Sequence, residues 1–205
     1  MLFKNDPIES SKVNLYLIGG FLAGNIFTYL YYTKYPASKP AIAVSCICYL
    51  LSFILLYFLT GPDTGPGDLY LPLFLIGAGT FIAWCSLGIY LAYKIPPRHI
   101  FSLVVYYLTV RNFIGPALWG CAISNFYYRH QIRNVDLLAS KMDKLNIYSD
   151  LASRNLFERV QLQASFLTIR EIFGYIIFLG LAFFLIMLPI KFKHSSGEDN
   201  NMVMP

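Results

Sequence analysis

The 205-residue chain is 57% hydrophobic, 17% aromatic and only 13% charged, with a mean hydropathy of +0.54. That is too little charge to clothe a water-soluble domain of this size, so a membrane protein is expected. The net charge of +5 comes from basic residues placed singly at segment ends and in one long connection, with no Lys/Arg run, which excludes nucleic acid as the expected partner and leaves the lipid bilayer.

Met1 to Lys12 reads as a short N-terminal tail without the basic start and cleavage site of a signal peptide. Val13 to Tyr32 is free of charge and long enough to cross a bilayer as a helix, the first of five expected spans. It holds Gly20 and Gly24 at GxxxG spacing, which lets a second helix approach closely. Lys34, Pro36 and Lys39 form a short connection, Pro40 suits the first turn of a helix, and Ala41 to Thr60 is the second span. The turn from Gly61 to Asp68 is rich in Gly, Pro and Asp; it lacks the Lys-Ser/Thr ending of a phosphate loop, and its prolines remove amide donors.

Leu69 to Tyr93 is the third span, with Trp84 near its centre, and Lys94 to His99 is a basic connection. Ile100 to Tyr128 is the fourth span, apolar except for Arg111, with Gly115-Pro116 one turn later. Counted from Ile100 at about 1.5 Å per residue, Arg111 falls ~16 Å into the segment, near the middle of a hydrocarbon layer ~30 Å thick. A cation at that depth is rare, costly, and faces protein or a water-filled cavity.

Arg129 to Ser165 reads as a long outside connection, with an amphipathic surface helix carrying Val135, Leu138, Met142 and Leu145 and a second short helix around Leu156 and Val160. Phe166 to Ile190 is the fifth span, with Arg170-Glu171 near its start, and the segment after Lys193 is expected to be a disordered tail. The short basic connections (Lys34/Lys39, Lys94/Arg98, Lys191/Lys193) alternate with the acidic turn, which places the basic ends and the C-terminus in the cytoplasm.

Depth counting sets Glu171 ~8 Å below the outer face and Arg111 ~14 Å below it. The two are therefore expected to face each other across a polar cavity as a proton-coupling charge pair. The bland alternative has Glu171 favouring the positive end of its own helix, Arg170 snorkelling, and Arg111 held by carbonyls and Tyr107. Tyr107, Asn112, Gly115 and Pro116, with Trp84 and Trp119, are the candidates for a substrate pathway, and Gly115-Pro116 is expected to kink or loosen the helix. Cys46, Cys48, Cys85 and Cys121 read as small packing residues, and no His/Cys/carboxylate cluster, nucleophile setting or dinucleotide fingerprint appears. No metal, no cofactor and no enzyme activity is expected.

Ile95-Pro-Pro-Arg98 before a span, Leu108-Thr-Val-Arg111-Asn-Phe-Ile-Gly115, a long connection, and Gln163 to Phe173 opening the last span follow one another in the order of a known group. In that order the chain resembles the C-terminal part of the fourteen-helix drug:proton antiporters of the major facilitator superfamily, the EmrB/QacA-like group. The resemblance implies proton-driven efflux of amphipathic small molecules or drugs, with multidrug resistance as the outcome, in the plasma (bacterial inner) membrane. The first connection keeps the positive charges of the family's cytoplasmic gating loop without its Asp, and Gly115-Pro116 is similar to an antiporter motif that belongs to an earlier helix. Such transporters have two pseudo-symmetric halves, so five spans imply a missing N-terminal half or a partner chain. The competing expectation is a non-transporting membrane subunit that binds a partner through Gly20, Gly24 and the outside connection.

Overall fold

A computed structural model describes residues 7–35, 37–61, 64–94, 96–142 and 150–189. These residues form helices: α1 (Pro7–Lys34), α2 (Ser38–Leu59), α3 (Tyr70–Lys94), α4 (Ile100–Thr109), a π-helical turn (Val110–Ile114), α5 (Gly115–Met142) and α6 (Asp150–Met187). There is no strand among the described residues, and five stretches are long and apolar enough to cross a membrane. The expected tail to Lys12 is corrected from Pro7 onward, where α1 already begins, with the proline in the first turn where a missing N–H costs nothing. Met1 to Asp6, Leu145, Lys191, Lys193 and the tail from His194 lie outside the described residues.

Helices α1, α2 and α3 form a closely packed unit. A Cβ built on Gly20 would collide with the Phe74 carbonyl, one on Gly24 would sit 2.7 Å from the Ala78 oxygen, and one on Gly77 would strike the Leu17 carbonyl. The GxxxG ridge of α1 is therefore covered by a small-residue stripe of α3, where dispersion between closely approaching backbones supplies the attraction that lipid cannot. On the opposite side α2 runs antiparallel to α3 and adds hydrogen bonds inside the apolar layer. Ser52 Oγ donates to the Pro72 carbonyl at 2.7 Å, and Tyr49 donates to Thr80 Oγ1 at 2.6 Å.

Helix α6 lies along α2. Phe53 meets Phe173 at 6.0 Å between ring centroids, Gly180 admits Leu50, and Lys39 Nζ donates to the Leu188 carbonyl at 2.6 Å. A cation at a helix C-terminus satisfies an orphan carbonyl and complements the dipole. Lys34, Lys39 and Arg98 thus share one end of the molecule, the basic end. The turn from Gly61 to Leu69 and the stacked Tyr16 and Tyr70 rings, 4.1 Å apart, mark the other.

The long outside connection is corrected. Helix α5 does not stop at Tyr128 but continues to Met142, and α6 begins at Asp150, sixteen residues before the expected span. From Ala117 to Met142 there is no proline and only Gly120, so nothing ends the helix when its composition turns polar. What read as a surface helix and a short entry helix are the ends of one antiparallel hairpin. On α6, Val160, Ala164 and Thr168 recur every fourth residue as its buried line.

Candidate functional site

Arg111 sits in the π-helical turn between α4 and α5, and Pro116 accounts for the turn. Proline at that position has no N–H and its ring crowds the carbonyl four residues earlier, so the backbone widens. The Gly115 amide bonds to the Val110 carbonyl, a five-residue step, and a Cβ on Gly115 would press on that same oxygen at 3.2 Å. Glycine is what allows the widened turn to close.

The turn carries the Arg111 guanidinium over the Trp84 ring of α3, with its carbon 3.1 Å from the ring centroid. Stacking of this kind is worth about 0.5–2 kcal/mol, the larger figure applying when water is excluded. Trp84 in turn leans on Phe21 of α1 at 5.9 Å. Arg111 Nε is buried and has no hydrogen-bond partner, and among the described residues no carboxylate lies within ion-pair distance of the side chain. Arg111, Gly115, Pro116, Leu118 and Trp119 together line an open groove of about 440 Å³. Of the expected pathway residues, Trp84 joins Arg111 through the stack, and Gly115, Pro116 and Trp119 join it in the groove. Tyr107 is half-buried one turn away and Asn112 is exposed, so neither lines the groove.

Arg111 and Glu171 are not brought together. Trp84 lies ten residues, ~15 Å, from the basic end of α3 at Lys94, so the guanidinium stacked on it sits near the middle of that helix's span, at the depth counted from Ile100. Glu171 lies near the opposite end, next to Arg170, whose guanidinium covers the Tyr57 ring of α2 at 5.2 Å, two residues before α2 ends.

Glu171 has a different partner. His130 Nδ1 of α5 is 2.7 Å from Glu171 Oε2, and Asn134 Nδ2 donates to the same oxygen at 3.4 Å and to Thr168 Oγ1 at 3.0 Å. Gln131 donates to Ser165 Oγ at 3.2 Å, completing a polar ladder along the hairpin. The His130 imidazole is stacked on Phe126 at 4.1 Å and meets Tyr175 edge-on at 6.0 Å. Asn134 is 1% exposed, whereas the side chains of His130 and Glu171 are 16% and 28% exposed, so the pair is open on one side. Sequence reading missed His130 and Asn134 because they were assigned to a connection. The signal was the match between spacings: His130 and Asn134 four apart on one helix, Ser165, Thr168 and Glu171 three apart on the next.

The described residues hold no group of three or more His, Cys, Asp or Glu able to bind a metal. The chain finds no match among protein-family models, curated proteins or solved structures.

Proposed function

We propose that the chain is part of a proton-coupled transporter of the major facilitator type, exporting amphipathic small molecules from the cytoplasm of a bacterial cell. Five spans hold one set of helices and leave a second half to come from the same protein or a partner chain. The observation that carries the reading is Arg111: a guanidinium inside an apolar span, on a proline-broken turn, stacked on an aromatic ring, and bordering an open groove with no acid within ion-pair distance among the described residues. Intramembrane cations are retained where they meet substrates, ions or water. A broken helix beside a cavity is tolerated because water re-satisfies its freed carbonyls. The basic end faces the cytoplasm in this reading. The scaffold alternative loses one of its two surfaces, since Gly20 and Gly24 are covered by α3.

The test uses inverted membrane vesicles from cells producing the full-length product, with ethidium as the probe and an acidic interior. Gradient-dependent ethidium uptake that disappears in Arg111→Leu is the expected result. Uptake equal to that of vesicles without the protein, with the protein present in the membrane, overturns the reading.

A further inference from the structure

Two nitrogen or oxygen acceptors cannot stand 2.7 Å apart without a proton between them, so the contact between His130 and Glu171 holds one proton at least. With the carboxylate ionised, that proton resides on Nδ1 and leaves Nε2 free to take a second. Taking it turns the imidazole into a cation and adds the attraction of opposite charges to a bond that the ionised carboxylate already strengthens. Histidine is the side chain whose ordinary titration spans about pH 5 to 8. The pair is also the strongest link in the ladder that holds α5 to α6. Below it, on the groove side, the α5 arm carries Leu118 and Trp119 at 68% and 58% exposure, so little else restrains that arm.

We propose that His130 and Glu171 form a proton-binding latch that fastens the α5 arm to α6 when His130 is charged and loosens it when the second proton leaves. The inference rests on the transport reading for its purpose, though not for its chemistry. The groups facing the pair support this assignment. Asn134 steadies the carboxylate from α5, and Phe126 and Tyr175 clamp the ring without offering it a competing acid. From α2, Tyr57 takes up the neighbouring Arg170, which leaves Glu171 to His130. Arg129 and Arg133 flank His130 on α5 with no ion-pair partner among the described residues, and Asp136 follows one turn on, so the Glu171 carboxylate is the acid that contacts the ring.

Protonation is thereby converted into movement. Leu118 of α5 and Phe183 of α6 each lie twelve residues from the pair, on exposed faces, so a small rotation at the latch is magnified over a lever of ~18 Å. The full chain, with its native cysteines replaced by alanine and with Leu118→Cys and Phe183→Cys spin-labelled, is placed in lipid nanodiscs for pulsed electron–electron distance measurement. The expected result is a distance shorter by about one helical turn, ~5 Å, near pH 5 than near pH 8. In His130→Gln and in Glu171→Gln the distance does not respond to pH. Glu171→Asp keeps a carboxylate and a reduced response, which separates loss of the proton site from loss of packing. A distance that ignores pH in the parent protein, or that responds equally in the glutamine variants, overturns the latch. The labels read the arm and no flux: a responding arm with failed ethidium transport overturns the transport reading alone, and persisting transport with an unresponsive arm overturns the latch alone.

Discussion

The three-helix unit α1–α3 and the arm formed by α4, the π-helical turn and α5 are each apolar enough to cross a membrane and are held by opposite means. The first is closed by glycines that bring backbones into contact, Gly20, Gly24 and Gly77 leaving no room for a methyl group. The second is almost bare: Phe113 is 72% exposed, and the arm is fixed at two points, the Arg111–Trp84 stack and the polar ladder to α6. In lipid, apolar surface gains nothing by burial against another apolar surface, so packing and directional polar contacts decide what is rigid. A region fixed by a few polar contacts can be released by changing one charge; a region fixed by backbone contact cannot.

Substitutions at glycine separate the two regions most sharply. Gly20→Leu drives a side chain into the Phe74 backbone, which cannot yield, and is expected to cost on the order of 3 kcal/mol in detergent-titrated unfolding of the reconstituted chain. Full retention of stability there would mean that α1 and α3 are not in contact. Arg111→Leu is the reverse case: it removes a charge whose placement in a span costs roughly 2.5–3.5 kcal/mol and loses only the ring stack, so unfolding stability stays level or rises while ethidium transport falls at least tenfold. Loss of both stability and transport would make Arg111 a structural post. Tyr49→Phe deletes one hydrogen bond between α2 and α3 and is expected to cost about 0.6–1 kcal/mol. Gly120→Ala, on the arm, meets open space and gains up to about 1 kcal/mol from helix propensity. The same change at Gly20, destabilising rather than stabilising, completes the comparison.

The five spans and the close-approach glycines of α1 could be read from the sequence because each depends on a local rule: apolar length for the former, small-residue spacing for the latter. The hairpin could not. Hydropathy reports the solvent around a helix, and when Tyr128-Arg129 leaves the apolar layer the solvent changes while the helix, lacking a glycine or proline stop, does not. The same error gave Glu171 the wrong partner, because His130 and Asn134 were assigned to the connection. The depth counted for Arg111 agrees with its stack on Trp84, near the centre of the third span. The π-helical turn was half legible: Gly115-Pro116 announced a break, but which carbonyl the Gly115 amide would choose depends on the backbone widening itself.

The claim on which the functional account turns is that the groove beside Arg111 opens to water within the bilayer. Single cysteines in the alanine background, at Leu118 in the groove and at Leu22 on the outward face of α1, are treated with a membrane-impermeant charged methanethiosulfonate in sealed proteoliposomes. The account predicts rapid labelling at position 118 and none at position 22. Equal protection of both would place the Arg111 face against lipid and contradict it.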